Sequence, residues 1–329
     1  MTRVARRLAL DPIQRTFTDP ADIDPAGLPG PGRYRWAAIS GWARHRLERF
    51  GPQLAPAELR WIVEAVGAPV GAEHSPAFAT ARQVGRLIDI VEDRIAGRPL
   101  QYALGSWAFR DFDVHVDERV LIPRPETEQV ADVVFAEAKR LGIAVSAPAS
   151  WPNPSPTHHV ADLGTGSGVL AIAMVRALAD ATVWATDIDV DALAVARANL
   201  AQAGLHAGRM RLAQGSWWEA LPPELAGHLS IVVSNPPYIS LSDFEDLADH
   251  VRNFEPTRAL VAGTSGLDDL DAIIRGAPLW LSNPGVLICE IGQTQGSAVV
   301  DIAGEAGFDE SFVLPDLTGR DRVLVARVR

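Results

Sequence analysis

The chain has 329 residues, of which 47% are hydrophobic and 22% are charged, a composition typical of a globular protein with one large or two modest domains. The formal net charge of −11 argues against a broad nucleic-acid-binding face. The single cysteine, Cys289, excludes an internal disulfide and a cysteine-rich zinc site, and no stretch approaches the ~18–20 apolar residues that span a membrane. We therefore expect a cytoplasmic protein with no metal centre and no membrane partner.

The N-terminal third contains three segments that differ in composition and in the spacing of their apolar residues. Residues 1–35 are rich in Pro, Gly, Asp and Arg, and they predict a loosely ordered extension. Residues 36–98 have helical spacing and predict a small helical domain whose apolar stripes form its core. Between Gln101 and Ile122 the apolar period falls toward two, which predicts a connecting β-hairpin over 99–122 with its turn around Arg110-Asp111. The three stripes are Ile39, Trp42, Ala43, Leu47 and Phe50; Leu59, Ile62, Val63 and Val66; and Val84, Leu87, Ile88, Val91 and Ile95.

Residues 123–329 predict a second, larger domain. A helix is expected from about Glu128 to Leu141, with Thr127 or Glu126 as its N-cap. The segment 146–159 contains four prolines and no periodicity, which indicates a surface linker in front of the main sheet.

After this linker, strand and helix patterns alternate, and this predicts a doubly wound, mostly parallel α/β sheet. The last two strands are joined by the short, turn-rich stretch Asp316–Asp321, so we expect them to be antiparallel. In such a sheet the first and fourth strands flank the point where the strand order reverses, and their carboxyl ends lie side by side. The predicted strands lie near 159–163, 182–186, 210–213, 229–234, 285–291, 311–314 and 322–327, and the clearest helices are 168–179, 189–203 and 266–282.

A glycine-rich loop follows the first of these strands. The glycines permit a tight turn, close approach of a ligand to the backbone and close packing of the next helix. Asp187 ends the second strand about twenty residues later, where a carboxylate can bind a ribose diol. Asp187 could instead cap the following helix, although Asp189 could do that equally well. We expect cofactor contacts from Gly164, Thr165, Gly166, Ser167, Gly168 and Asp187, and further along the chain from Trp217 and Asn235.

The fourth strand ends in the sequence Ser234-Asn235-Pro236-Pro237-Tyr238. Each proline lacks an N–H and fixes φ, so the strand must stop in a stiff turn. The Asn235 side chain and the nearby backbone present neutral carbonyl acceptors, and Tyr238 adds a flat aromatic wall. This set suits a planar NH2 group, because it accepts N–H bonds without a charged base. The alternative is a turn that merely ends a strand.

The glycine loop and Asp187 fit either a nicotinamide dinucleotide or S-adenosylmethionine. A pocket that orients an NH2 group beside a nucleoside serves methyl transfer and has no use in hydride transfer, so we favour S-adenosylmethionine. After the third strand, Trp217 of the pair Trp217-Trp218 could cover the adenine, although such pairs more often serve packing.

Taken together, these residues resemble the HemK/PrmC family of S-adenosylmethionine-dependent methyltransferases, which modify glutamine in peptide chain release factors. The resemblance implies a Rossmann-like, seven-stranded class I methyltransferase fold, a helical N-terminal domain that recognises substrate, a release factor as protein partner and no direct nucleic-acid contact. Two departures stand out: residues 1–35 are longer than expected, and Ser216 replaces an acidic residue beside the adenine. The matching motifs are Arg98–Gly105, Leu121–Glu128, Asp162–Gly168, Asn235–Tyr238, Phe254–Pro256, Glu290–Gln295, and Asp316-Leu317 with Asp321-Arg322.

A primary amide nitrogen is a poor nucleophile, because its lone pair is delocalised into the carbonyl. We therefore expect catalysis by position and polarisation, with the Asn235 side-chain oxygen and the Pro236 backbone oxygen accepting the two amide protons. Tyr238 would pack against the amide plane. Arg124 and Glu126 either order the pocket wall or form a structural ion pair.

Three other functions compete with this reading. The string Arg-Pro-Glu-Thr-Glu at 124–128 favours the release-factor branch over a related branch that methylates a ribosomal protein. An adenine-N6 or cytosine-N4 DNA methyltransferase presents a similar Asn-Pro-Pro-Tyr turn to a flipped base, but the acidic balance weighs against it. A cofactor-binding regulator without catalysis would not need an acceptor for an NH2 group. Nothing in the sequence indicates an oligomeric state.

Overall fold

The computed structural model describes residues 16–24, 27–30, 32–51, 55–145 and 156–329. The first fifteen residues of the predicted extension and most of the predicted linker lie outside these ranges. The chain divides into two compact units, Met1–Gly105 and Ser106–Arg329. Within the described ranges, no helix combines the length and the apolar character that crossing a membrane requires.

The first unit is helical. A short parallel pair of strands, β1 and β2, precedes four helices, and Phe17 of β1 stacks on the buried Tyr34 of β2 with ring centroids 4.5 Å apart. The elements are β1 (Thr16–Phe17), a 3-10 turn (Pro20–Asp22), β2 (Arg33–Tyr34), α1 (Trp36–Phe50), α2 (Ala55–Ala65), a 3-10 turn (Ala72–His74), α3 (Ala81–Ile95) and α4 (Leu100–Leu104).

The predicted apolar stripes form the core of this unit, except that Val63 and Ile95 are only partly buried and Phe50 is exposed. Ile39, Leu59 and Leu87 are fully buried, one from each of the three long helices. Phe50, by contrast, is 43% exposed, so its predicted place in the first stripe is wrong. It occupies the last residue of α1, where the ring covers the Arg94 guanidinium at 4.9 Å instead of the core.

The second unit contains the hairpin, the main sheet and its helices. Its elements are β3 (Ser106–Phe109), β4 (Phe112–His115), α5 (Pro125–Arg140), β5 (His158–Leu163), α6 (Val169–Ala177), β6 (Ala181–Asp187), α7 (Val190–Asn199), a 3-10 segment (Leu200–Arg209), β7 (Met210–Gln214), 3-10 turns (Trp217–Ala220 and Pro223–Leu225), β8 (Leu229–Ser234), α8 (Leu241–Glu245), α9 (Asp249–Arg252), a 3-10 turn (Thr257–Ala259), α10 (Asp268–Trp280), β9 (Leu281–Glu290), α11 (Gly296–Ala306), β10 (Glu310–Pro315) and β11 (Asp321–Val328). β3 and β4 pair antiparallel, as predicted, but the hairpin is shorter than the predicted range 99–122, because residues 100–104 of that range form α4.

The main sheet has seven strands in the order β10-β11-β9-β8-β5-β6-β7. The five strands β5 to β9 run parallel, and β11 and β10 are antiparallel to their neighbours, which confirms the predicted orientation of the last two strands. All six residues of β8 are buried, as expected for a parallel strand covered by helices on both faces.

The strand order reverses between β5 and β8, which pair directly. Leu163 and Ser234 face each other at the carboxyl ends of these strands, and the Ser234 hydroxyl donates to the Leu163 carbonyl at 2.7 Å. The glycine loop and Asn235 therefore leave the sheet side by side.

Helix α5 begins three residues earlier than predicted. Its first residue is Pro125, whose fixed φ suits the first helical turn, and Arg124 is the N-cap without a side-chain capping bond. The prediction that Thr127 or Glu126 caps this helix is therefore wrong. Thr127 instead lies inside the first turn, which leaves its hydroxyl available for a partner outside the helix.

Candidate functional site

A cavity of about 350 Å³ lies within the second unit, at the carboxyl ends of β5, β6, β7 and β8. This is the edge of the sheet at which open α/β folds bind their ligands. Most of the predicted site residues line it. The lining includes Gly164, Thr165, Gly166, Ser167, Asp187, Ser216, Trp217, Asn235 and Pro237, together with Thr127, Asp162, Arg258 and Asp269, which were not among the predicted site residues.

The glycine loop adopts conformations that favour glycine. Gly164 and Gly166 have φ of 71° and 55°, and a side chain on Gly164 would come within 3.2 Å of the Trp217 ring. Gly168 does not line the cavity. It caps α6 with φ 87°, and a Cβ there would lie 3.4 Å from the Cβ of Ala196, so this glycine serves the close packing of two helices.

Asp187 supports the glycine loop from the end of β6. Its Oδ2 accepts the Gly166 N–H at 2.9 Å, and its Oδ1 accepts the Asp189 N–H at 2.9 Å. Burial raises the pKa of this carboxyl despite both bonds. Asp189 is the N-cap of α7 and accepts the Asp191 N–H at 2.8 Å, so the alternative role of Asp187 as the helix cap is excluded.

Asp162 is a site residue that sequence reasoning missed. Its Oδ2 accepts the Thr165 hydroxyl at 2.6 Å and the Ala171 N–H at 3.1 Å. Its Oδ1 is buried and receives no hydrogen bond from any residue that the structure describes. Desolvation raises the pKa of Asp162 to about 7. The available signal was a lone carboxylate near the end of an otherwise buried apolar strand.

The two tryptophans after β7 have different environments. Trp217 lines the cavity in a strained conformation with φ 42°, and its indole N–H donates to Asp269 at 3.2 Å. Trp218 stacks on Trp280 with centroids 5.9 Å apart and donates to the Ala272 carbonyl at 3.2 Å. Packing therefore accounts for Trp218, while Trp217 faces the cavity.

The Asn235 side chain lines the cavity at the end of β8. Its side-chain nitrogen donates to the Thr127 hydroxyl oxygen at 3.1 Å. Its Oδ1 is buried, and no donor in the described parts of the chain reaches it. Of the following residues, Pro237 lines the cavity, whereas Pro236 is buried beside it and Tyr238 lies behind the lining. A buried acceptor without a donor normally indicates a missing partner.

Glu290, at the end of β9, closes a hydrogen-bond chain behind Asn235. Its Oε2 accepts the Thr127 hydroxyl at 2.7 Å, and its Oε1 accepts the Tyr238 hydroxyl at 3.4 Å. Glu290 is only 1% exposed, and desolvation raises its pKa to about 7. Sequence reasoning placed Glu290 in a motif without a role, because its partner Thr127 lies 163 residues away in the chain.

Arg124 and Glu126 do not line the cavity. Arg124 pairs instead with Glu255 at 2.6 Å, and the Glu255 side chain is fully buried. The carboxylate also accepts the Ile122 N–H at 3.3 Å. The structural ion pair near the helix start therefore exists, but its acidic partner is Glu255.

A reversed strand order in a seven-stranded sheet, with a glycine loop and an Asn-Pro-Pro-Tyr turn at the reversal, defines a Rossmann-like class I methyltransferase. In agreement, the family model of the methyltransferase small domain matches residues 149–251. The chain is 40% identical to the release factor glutamine methyltransferase of Moorella thermoacetica over 243 residues, which cover 74% of this chain and 79% of that protein. It is 37% identical to the protein of the same name from Neisseria gonorrhoeae, over 72% of this chain and 80% of that one.

The chain belongs to the release factor glutamine methyltransferase family, which confirms the resemblance seen in its motifs. Among solved structures, it is similar to a ribosomal protein L11 methylase from Lactobacillus delbrueckii subsp. bulgaricus, with 22% identity, a TM-score of 0.40, and coverage of 64% of this chain and 82% of that one.

Proposed function

We propose that this protein transfers a methyl group from S-adenosylmethionine to the side-chain nitrogen, N5, of a glutamine in a peptide chain release factor. The proposal is carried by one observation: Asn235 lines a cavity beside the glycine loop, and its buried Oδ1 has no donor among the described residues. Membership of the family supports the choice of substrate.

The residues of the cavity fit S-adenosylmethionine. Asp187 would bind the ribose hydroxyls, and Trp217 would cover the adenine. The buried Oδ1 of Asp162 needs a donor or a positive charge, and an ammonium or sulfonium group meets that need. Gly166 has open space where a Cβ would stand, which lets a ligand approach the loop. When bound, S-adenosylmethionine supplies an electrophilic methyl group on positively charged sulfur.

The residues at the carboxyl end of β8, beginning with Asn235, act on the glutamine amide. Asn235 Oδ1 and the Pro236 carbonyl accept its two protons, which fixes the direction of the nitrogen lone pair. Both acceptors also stabilise the positive charge that develops on nitrogen as its new bond forms. Tyr238, which was expected to pack against the amide plane, does not line the cavity and supports this end through its hydroxyl bond to Glu290. The surplus proton leaves after the transfer.

The helical residues 36–98 select the protein substrate. They form their own core, separate from the cavity residues, all of which lie after Gly105. Hydrogen exchange of the full chain with and without release factor tests this division. Slower exchange on the helical surface is expected, and protection confined to the second unit would contradict it.

The proposed reaction is tested with purified protein, S-adenosylmethionine carrying a labelled methyl group, and three acceptors: a release factor, ribosomal protein and duplex DNA. Mass spectrometry should locate one methyl group on a glutamine of the release factor. A variant release factor with that glutamine replaced by asparagine is the control. Label on the ribosomal protein or on DNA, with none on the release factor, would overturn the proposed function.

A further inference from the structure

The Asn235 side-chain amide has two orientations of nearly equal shape. A rotation of 180° about χ2 exchanges its oxygen and its NH2 group, so the hydrogen-bond partners decide which of these two groups faces the cavity. An oxygen in the cavity accepts a proton from a substrate amide. An Asn235 NH2 group in the same place would face the NH2 group of the substrate amide, so that two hydrogen-bond donors would oppose each other and the substrate nitrogen would not be polarised.

Glu290 sets the direction of the chain of hydrogen bonds behind Asn235. An ionised carboxylate only accepts, so the Thr127 hydroxyl must donate its single proton to Oε2, at 2.7 Å. The Thr127 oxygen then offers only lone pairs to Asn235. The NH2 group of Asn235 satisfies them at 3.1 Å, and the opposite orientation would place two acceptors against each other.

We propose that Thr127 and Glu290 are positioning residues that hold the Asn235 amide with its oxygen toward the substrate nitrogen. This inference rests on the proposed function and deepens it. Neither residue needs to touch the substrate, because their effect passes through Asn235. The early start of α5 makes the arrangement possible, since it places Thr127 in the first turn with its hydroxyl toward the end of β9.

The protonation of Glu290 should control this orientation. Protonated Glu290 can donate to Thr127, which can then donate to the Asn235 oxygen and turn the amide over. The charged or titratable groups that act on Glu290 are Tyr238, Arg322 and Glu126, and Arg322 favours the ionised form while Glu126 opposes it. Because the pKa of Glu290 is raised to about 7, turnover should fall as pH decreases through about 7.

The first test is kinetic and uses the full-length protein with release factor. Thr127→Val keeps the side-chain shape and removes the hydroxyl, and it should lower kcat about tenfold to hundredfold with little change in cofactor affinity. Thr127→Ser restores the hydroxyl and should recover most of the rate. Glu290→Gln should lower kcat and abolish the fall in activity near pH 7. The matched control is Thr318→Val, which removes an equivalent hydroxyl–carboxylate bond, 2.6 Å to Asp316, in an exposed turn.

The second test does not depend on activity. The Asn235 side-chain NH2 signals, assigned by their loss in Asn235→Asp, should exchange slowly with solvent in the wild type and in Thr127→Ser. In Thr127→Val they should exchange faster. A normal rate in Thr127→Val, a Thr127→Ser variant as slow as Thr127→Val, or NH2 signals unaffected by Thr127→Val would each overturn the proposal. If the wild type fails to methylate release factor while the NH2 signals behave as expected, the proposed function fails and the orientation stands.

Discussion

The two ends of the cavity use buried carboxylates in different ways. At the glycine-loop end, Asp162 lines the cavity itself, and one of its carboxylate oxygens has no donor from the described residues. At the Asn235 end, Glu290 stands one hydrogen bond further back, with Thr127 and Asn235 between it and the cavity. A carboxylate suits a positively charged cofactor, whereas a neutral acceptor can orient the substrate amide without the desolvation cost of a buried charge. The cavity therefore presents charge to one ligand and a neutral acceptor to the other.

The largest effect is expected from Asn235. Asn235→Ala removes the neutral acceptor and should lower the rate of methyl transfer by about 10²–10³-fold, by analogy with the loss of one oxyanion-hole donor. Asn235→Asp keeps shape and acceptors but adds a charge, so it should also be slow while cofactor affinity is unchanged or higher. Single-turnover kinetics and calorimetry measure the two quantities. A normal rate of methyl transfer in Asn235→Ala would contradict the catalytic role of Asn235 and would mean that the Asn235–Tyr238 turn only ends the strand.

The next largest effect is expected from Asp187, at the opposite end of the cavity. Asp187→Ala should weaken the binding of S-adenosylmethionine by about 1–3 kcal/mol, because the ribose hydroxyls lose their partner. The variant also loses the bond to the Gly166 N–H, so Asp187→Asn, which keeps an acceptor there, separates loop support from ribose binding. Unchanged affinity of Asp187→Ala in calorimetry would refute the ribose assignment.

A smaller effect concerns the pH dependence of stability. The pKa of Asp162 is raised from 3.8 to about 7, so the folded state holds a proton that the unfolded state releases. In the absence of cofactor, the free energy of unfolding should therefore fall as pH rises from about 5 to about 7 and level off above that. Glu290 contributes in the same direction.

Asp162→Asn removes the titrating group while retaining acceptors for Thr165 and Ala171, so it should flatten this dependence. Denaturant titrations at about pH 5 and about pH 8 measure it. The exposed carboxyl of Asp246 provides the control, because Asp246→Asn should leave the slope unchanged. An equal slope in the wild type and in Asp162→Asn would show that Asp162 is ionised throughout.

The smallest expected effect distinguishes the paired tryptophans. Trp217→Leu should weaken cofactor binding about threefold to tenfold, the value of one aromatic contact. Trp218→Leu should leave binding unchanged and lower the thermal midpoint, because Trp218 stacks on Trp280. Weaker cofactor binding in Trp218→Leu together with unchanged binding in Trp217→Leu would contradict these assignments and would place Trp218 on the cofactor.

The sequence predicted the features that local patterns determine. The glycine loop, the carboxylate at the end of β6 and the turn after β8 lie within short segments, and the alternation of strand and helix patterns predicts the mostly parallel sheet. Thr127 and Glu290 could not be paired in advance, because their contact depends on where α5 starts and on how β9 joins β8. Because α5 starts three residues earlier than predicted, Thr127 does not cap the helix and instead connects Glu290 to Asn235 by hydrogen bonds.

The hydroxyl of Ser234 bridges the ends of β5 and β8, where the strands are about 4.8 Å apart, as in any hydrogen-bonded sheet. The distance between the glycine loop and Asn235 is thus fixed by the spacing of two adjacent strands in the sheet. The distance over which the methyl group travels is therefore set by the sheet and not by the segments that select the protein substrate.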